Sequence, residues 1–380
     1  MKRILCLLLA ALTAVSVCSC AVRSVTYASY GDNGEYSISQ DMYRYWLAYY
    51  KTRFYVIMQD YGIISESNYT EDFWDQEIEP GQTYGDRVFA HVDSLVNDML
   101  VCAALYDKYE LGKDANMKKT LDDTVQSFVD NDVQAAGSRA ELNKQLGLIG
   151  LNVRELKKIY EYEAKELIIE DYLFGETGKE PVTDAEREEY YQRSYARIKY
   201  VLLDPYKKQV TDVYGYPVMD TSTGYYKTVE LTEEEQAEVR ALAESIRSNA
   251  AAGADFEALV AEYNQDRAMS SYEDGLFLTA DDAYDETFSS DAMSLGVGEV
   301  KLSESAYGLI IMKKYPLEPG MWKNEANAAF FSELDSRIVD EKKEKKYGEY
   351  FKGISLDDGF ASSVRLADLP FLQTALSADQ

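Results

Sequence analysis

The sequence predicts an α+β fold in which a helical domain carries an inserted α/β domain. Apolar residues recur with helical spacing through the first part of the chain, up to about residue 174. The runs IKYVLL (198–203) and YGLIIMKK (307–314) have instead the length and composition of buried strands. Helical spacing returns from about residue 324. We therefore expect the last helix to rejoin the N-terminal helices.

Charge and histidine content exclude several classes of function. The 380 residues include 67 acidic and 39 basic ones, which gives a net charge of −28. Such a surface repels phosphate backbones, so we expect no nucleic-acid partner. His91 is the single histidine, so a two-histidine zinc site is impossible and a Ser-His-Asp triad would depend on this one residue. We interpret His91 as a residue on a helix face.

The sequence also offers no motif for a metal or a cofactor. The phosphate-binding patterns GxxxxGK(S/T) and GxGxxG do not occur. The acidic stretch 281–291 lacks the residue register of a calcium loop, and we interpret it as a solvated loop. We therefore expect neither a metal nor a cofactor.

The N-terminus has the features of an export signal. Two basic residues precede an apolar run over residues 4–17, which is too short to span a membrane as a stable helix. The following VCSC (17–20) resembles a bacterial lipobox. That resemblance implies a diacylglycerol on Cys20 and removal of residues 1–19. An ordinary secretory signal cleaved near Ser19 is the alternative.

Composition divides the chain into segments. The predicted order is a signal peptide at 1–19, a polar tether at 20–37, a helical domain at 38–180, an α/β domain at 186–316, and a C-terminal helix with its tail at 320–380. The best boundary is GETGKEPVT (175–183), which has two glycines, a proline and no apolar period. The apolar residues of the last helix are expected to cover the N-terminal helical domain; they are Phe330, Phe331, Leu334, Ile338 and Val339.

The helical domain is predicted from apolar spacing and from capping residues. A first helix begins near Ser39 and presents an apolar face made largely of aromatic residues. That face consists of Met42, Trp46, Tyr50, Phe54, Ile57 and Tyr61. Helices at about 84–109 and 116–133 follow, and Cys102 in the first of them is interpreted as a small core residue. Ser138 and Asn152 each precede a glutamate by three residues, the spacing of a capping box, and predict two more helices.

The α/β domain is predicted from the same kinds of signal. Thr183 and Thr232 have capping-box spacing and predict a helix after each, and Asp255 caps a shorter helix. GLFL (275–278) is a further short apolar run. Residues 204–231 carry prolines and glycines between β-prone stretches, which predicts a hairpin-like insertion.

Four strings in this domain resemble the parvulin family of peptidyl-prolyl isomerases. They are VTDAEREEYYQRSYARIKYVLL (182–203), AAAGADFEALVAEYNQD (250–266), MSLGVGEV (293–300) and YGLIIM (307–312). Their order and spacing cover residues 186–316. The helical part with its returning C-terminal helix resembles the SurA-type chaperones and the PrsA-type foldase lipoproteins, so the similarity spans essentially the mature chain.

The resemblance implies a shallow apolar pocket for proline, flanked by two histidines and an aspartate or cysteine. Asp266 stands at the Asp/Cys position and Tyr200 at the first histidine position, so these two are the expected catalytic residues. The expected substrate-binding residues are Phe288, Tyr284, Leu276 and Ile310. Ile310 occupies the second histidine position, so both family histidines are absent. Asp274 replaces an apolar residue and is expected to make one wall of the pocket charged.

Two functions remain open on this resemblance. The first is a catalytic foldase, anchored to the cell membrane through Cys20 and acting on unfolded or extended secreted polypeptides on the extracytoplasmic side. The second is a non-catalytic chaperone whose parvulin-like domain only binds peptide. A solute-binding lipoprotein is disfavoured, because no alternating βαβ pattern of two lobes is present.

Overall fold

The computed structural model describes residues 25–372, apart from residues 66, 68, 222, 223, 225 and 283. The predicted signal peptide and Cys20 lie outside the described residues. The chain forms two compact units. The helical unit combines the chain up to Pro181 with the chain from Lys343 onward, and the insert unit is Val182–Lys342. The predicted α+β class is confirmed.

The α-helices and strands follow in chain order. The helices are α1 (Gln40–Asp60), α2 (Tyr84–Lys108), α3 (Ala115–Ala135), α4 (Arg139–Gly147), α5 (Val153–Phe174), α6 (Asp184–Ser194), α7 (Glu233–Ala251), α8 (Phe256–Tyr263), α9 (Glu286–Ser294), α10 (Leu334–Phe351) and α11 (Asp358–Ala361). The strands are β1 (Thr26–Tyr30), β2 (Tyr36–Ser39), β3 (Glu77–Glu79), β4 (Gln82–Thr83), β5 (Ala196–Leu203), β6 (Lys207–Gln209), β7 (Thr228–Glu230), β8 (Leu276–Leu278), β9 (Val300–Ser305), β10 (Gly308–Tyr315) and β11 (Ser355–Leu356).

Helix α1 supplies much of the core of the helical unit. It begins where the Ser39 hydroxyl accepts a hydrogen bond from the Met42 amide, as the sequence predicted. Trp46 is fully buried. The last two residues of the predicted face, Ile57 and Tyr61, are 39% and 77% exposed, because the apolar core ends before the last turn of the helix.

Helix α2 is the one described helix that is long and apolar enough to cross a membrane. Its Val92 and Val96 are nevertheless fully buried within the helical unit, and Cys102 is a buried free thiol. This burial is typical of a core helix.

The predicted tether at 20–37 is wrong for its described part. Residues 26–39 contain β1 and β2, and the antiparallel sheet order is β11-β1-β2. Tyr27 on β1 is 2% exposed, and its ring stacks on Tyr43 with 3.7 Å between centroids. Both phenol groups donate hydrogen bonds to the same carboxylate oxygen of Asp93. These partners are distant in sequence, so local polarity alone suggested a tether.

The insert unit is built on a four-stranded antiparallel sheet with the order β8-β5-β10-β9. Successive side chains of a strand point to opposite faces, so the two central strands contribute to two apolar clusters. One cluster contains Ile198, Tyr200, Ile310 and Met312, with Phe288 and Ala292 of α9. The other contains Val201, Leu203, Leu309 and Ile311, with residues of α7 and α8. Strands β6 and β7 pair as the predicted hairpin within residues 204–231.

The chain after residue 316 does not all join the N-terminal helices. Phe331, Leu334 and Ile338 pack with Tyr191 and other aromatic residues of the insert unit, so the prediction that they cover the N-terminal domain is wrong. The insert unit therefore extends to Lys342. Beyond this point Tyr347 of α10 is fully buried in the helical unit, and its hydroxyl lies 3.7 Å from the sulfur of Cys102.

Gly275 is predicted to be essential to the insert sheet. Its φ is +97°, and a Cβ atom there would lie 2.7 Å from the carbonyl oxygen of Ile198. Gly275→Ala should lower the free energy of unfolding by more than about 2 kcal/mol, because strain and a backbone clash add. Gly298, with φ +85° and no atom within 4 Å of the added Cβ, is the matched control. Gly298→Ala should cost about 1 kcal/mol in denaturant unfolding, and equal losses in the two variants would refute the clash.

Candidate active site

Tyr200 and Asp266 form the centre of the candidate site. The Tyr200 hydroxyl donates a hydrogen bond of 2.5 Å to Oδ2 of Asp266. The other carboxylate oxygen accepts the Ala268 amide at 2.9 Å and caps the short helix that follows. The structure thus brings together the two residues predicted to be catalytic.

The loop before Asp266 is held on strand β5. The Leu202 amide donates to Oδ1 of Asn264 at 2.7 Å, and the Leu202 carbonyl accepts the Gln265 amide at 3.0 Å. Because Tyr200 lies two residues before Leu202 on the same strand, these bonds place the carboxylate beside the phenol.

The phenol of Tyr200 is a permanent hydrogen-bond donor at neutral pH. Burial, followed by the hydrogen bond to the Asp266 carboxylate, raises the pKa of Tyr200 well above its usual value. A family histidine at this position would exchange a proton near neutral pH, whereas this tyrosine keeps its proton. Its chemistry is therefore donation of a hydrogen bond, and that donation is made to Asp266.

Two further aromatic residues extend the site toward solvent. The ring of Phe288 lies edge-on to Tyr200, with 5.6 Å between centroids, and 5.4 Å from the ring of Tyr284. Phe288 is only 4% exposed, whereas Tyr284 is 39% exposed. Tyr284 is therefore the predicted site residue with the largest accessible surface.

Leu276 and Ile310 belong to the same apolar cluster but are buried within it. Leu276 is 3% exposed and pairs with Ile198, and Ile310 is 2% exposed and pairs with Leu202. The six predicted residues thus lie together. Four of them, Tyr200, Phe288, Leu276 and Ile310, are at most 9% exposed, and the roles assigned to all six stay predictions.

Asp274 is hydrogen-bonded within the insert unit, and its expected place in a pocket wall stays a prediction. Its carboxylate accepts hydrogen bonds from the side-chain amides of Asn324, at 3.0 Å, and Asn327, at 2.9 Å. Asn327 is itself 3% exposed. The aspartate thereby fastens the segment after β10 to the insert unit. Sequence analysis missed these asparagines because they lie about fifty residues away.

The residues that the structure describes do not form a metal-binding site. Among them, no three or more histidine, cysteine, aspartate or glutamate side chains cluster in a metal-binding arrangement. His91 lies exposed on α2, with its ring 4.4 Å from that of Tyr50.

A family model assigns the insert unit to a known class of domain. The model of the PPIC-type PPIase domain matches residues 219–315. This range contains Asp266, Tyr284 and Phe288, while Tyr200 precedes it. Residues 219–315 therefore match the PPIC-type, or parvulin, peptidyl-prolyl isomerase family, and the resemblance noted from sequence is confirmed for this part of the insert unit.

Solved structures give weaker likenesses. PrsA from Bacillus subtilis is 22% identical, with 71% of this chain and 86% of that chain covered and a TM-score of 0.23. PrsA from Streptococcus pneumoniae is 14% identical, with 77% of this chain and 99% of that chain covered and a TM-score of 0.24. A structure from Campylobacter jejuni, described among SurA-like chaperones, is 15% identical, with 90% of this chain and 98% of that chain covered and a TM-score of 0.21. Because these TM-scores are low, we assign no property of these proteins to this chain. No protein of curated function matches the sequence.

The hydrogen bond between Tyr200 and Asp266 is expected to stabilise the insert unit. Tyr200→Phe should lower the free energy of unfolding by about 1–2 kcal/mol, since it removes a buried donor from a carboxylate. Tyr284→Phe is the matched control, because the Tyr284 hydroxyl makes no hydrogen bond among the described residues, and it should change stability by less than about 0.5 kcal/mol.

A double-mutant cycle with Asp266→Asn measures the pair directly by chemical denaturation. A coupling energy near zero would show that the two residues do not interact in solution.

Proposed function

We propose that this protein is a folding factor that binds unfolded or extended secreted polypeptides on the extracytoplasmic side of the cell membrane. The observation that carries the proposal is the PPIC-type match over residues 219–315, which contains Asp266, Phe288 and Tyr284. The Tyr200 ring lies against Phe288, and its hydroxyl is hydrogen-bonded to Asp266. The export signal at the N-terminus supports the location, and the lipobox-like VCSC (17–20) supports attachment through lipid on Cys20.

Isomerase activity would require the site to favour the twisted amide. Rotation about an X–Pro bond has a barrier of about 18–20 kcal/mol because amide resonance is lost. A protein lowers this barrier by binding the twisted form better than either planar form. Ile310 has no polar group to contribute, and the Tyr200 hydroxyl is engaged by Asp266. Of the predicted substrate-binding residues, Tyr284 is the most exposed.

A non-catalytic chaperone is the second candidate, and the burial of the site favours it. Tyr200, Phe288, Leu276 and Ile310 are all at most 9% exposed, so a proline ring would have to displace core side chains to reach them. An extended peptide can instead contact Tyr284 and the surface around it without such a rearrangement. In this alternative the parvulin-type domain binds polypeptide but does not catalyse isomerisation of its X–Pro bonds.

Exchange NMR on a panel of Xaa-Pro peptides separates the two candidates. The full chain in detergent is expected to accelerate isomerisation by less than tenfold at equimolar protein, because Ile310 offers no hydrogen bond to a twisted amide and the Tyr200 hydroxyl is bonded to Asp266. It should still suppress aggregation of an unfolded client.

Asp266→Ala and Tyr284→Ala are the informative variants in this experiment. Acceleration by orders of magnitude that is lost in Asp266→Ala would establish an enzyme and refute the non-catalytic alternative. Absence of both isomerisation and aggregation suppression would refute the folding function itself.

Membrane attachment is tested at Cys20. Cys20→Ala should abolish incorporation of labelled fatty acid and move the protein from the membrane to the soluble fraction, since the anchor depends on the acylated cysteine. Cys18→Ala is the matched control and should remain membrane-bound. Retention of Cys20→Ala in the membrane with a label still attached would contradict the lipid anchor.

A further inference from the structure

The helical unit contains a cavity of about 560 Å³ between α1, α2, α3 and α5. Its walls include six aromatic side chains, which are Tyr45, Trp46, Tyr49 and Tyr50 of α1, Phe128 of α3 and Tyr160 of α5. Three carboxylates lie among these rings, from Asp132, Glu163 and Glu166. The volume is within the range of natural ligand sites, and the mixture of rings and acids defines what fits there.

Two of the carboxylates have hydrogen-bond donors and one has none. Glu163 accepts the Trp46 indole N–H at 2.8 Å, and Asp132 accepts the hydroxyl of Tyr160. Glu166 accepts no hydrogen bond from the described part of the helical unit. Glu166 is half-buried, so its carboxyl in the cavity wall stays available to a ligand that supplies a hydrogen-bond donor.

The charges around Glu166 act in both directions. Lys343 of α10 lowers the pKa of Glu166, but its ammonium is paired with Glu170 at 3.1 Å, and Asp98 of α2 and Glu170 of α5 raise that pKa. Burial is the largest cause of the raised pKa values in the cavity, about 8 for Glu166 and about 7 for Glu163. For Asp132 burial raises the pKa to about 6. The positive charge of a cation that enters the cavity would be balanced because these carboxyl groups would lose their protons.

We propose that this cavity binds the cationic side chain of an arginine or lysine in an extended polypeptide. The positive end would lie beside Glu166 and Glu163, and the stem would pack on the half-buried rings of Tyr49, Tyr50 and Phe128. Guanidinium and ammonium groups are attracted to aromatic faces and to carboxylates, which are the two components of this cavity. The net charge of −28 also concentrates basic polypeptides near the protein. The inference rests on the proposed function as a polypeptide-binding protein.

The test uses one flexible peptide with a central arginine and matched peptides in which that residue is lysine, citrulline or norleucine. Citrulline keeps the shape and hydrogen-bonding groups of arginine but lacks its charge. With the full chain in detergent, calorimetry should give at least tenfold tighter binding for the arginine and lysine peptides than for the two neutral ones. Equal affinity for arginine and citrulline would overturn the proposal without use of any variant.

Glu166→Gln identifies the site. It should reduce the preference for arginine over citrulline to below threefold, whereas Glu161→Gln, on the exposed side of the same helix, should leave the preference unchanged. Glu166 has a pKa raised above its unfolded value, so it favours folding at acid pH and loses that contribution as pH rises through about 8. Glu166→Gln is therefore expected to fold, with a melting temperature at pH 8 no lower than that of the parent. An unchanged preference in the folded variant would refute the assignment.

Binding should also depend on pH in a stated direction. At pH 5 the three carboxylates are largely protonated and at pH 8.5 largely ionised, so affinity for the arginine peptide should rise and protons should be released on binding. Suppression of client aggregation without any arginine preference would refute this inference and leave the proposed function standing. Loss of both would refute the two together.

Discussion

The pairing of β5 with β10 is the constraint on which the insert unit depends. Its register joins Tyr200 to Met312 and Leu202 to Ile310, so alternation sends Tyr200 and Ile310 to the same apolar cluster. A slip by one residue would carry the Tyr200 phenol to the opposite face and away from Asp266. The sheet tolerates no side chain at its closest backbone approaches, and Gly308 illustrates this because an added Cβ would lie 2.6 Å from the Leu203 carbonyl oxygen. Register and glycine placement together create the site.

Features set by local sequence could be predicted, and those set by distant partners could not. The capping boxes at Asn152 and Thr183 begin helices where expected, because the bonds that form them join residues three positions apart. Strand β1 was predicted as a tether, since only the distant side chains of Tyr43 and Asp93 explain the burial of Tyr27. The family resemblance located the candidate site, but burial of its residues emerges only when the sheet and α9 are packed together.

Asp266 and Glu166 are two half-buried acids with different surroundings. In the insert unit the Asp266 carboxylate receives both a phenol and a backbone amide, so its polar groups are satisfied within the fold. In the helical unit Glu166 lies in a cavity wall, and no described residue donates a hydrogen bond to it. A satisfied pair contributes to stability, while a carboxyl without a donor in the fold is available to a ligand. Of these two acids, Glu166 is therefore the one expected to bind a ligand.

The chain order of the helical unit restricts when that unit can form. Strand β11 pairs Leu356 with Ala28, and Phe360 and Leu372 complete a core that begins at Tyr27. A polypeptide that emerges from a ribosome or a translocation channel N-terminus first presents β1 and β2 long before β11, the second strand that pairs with β1. The insert unit, Val182–Lys342, has all its residues available earlier. During synthesis the helical unit therefore stays incompletely folded, with exposed apolar helices, until the last strand has emerged.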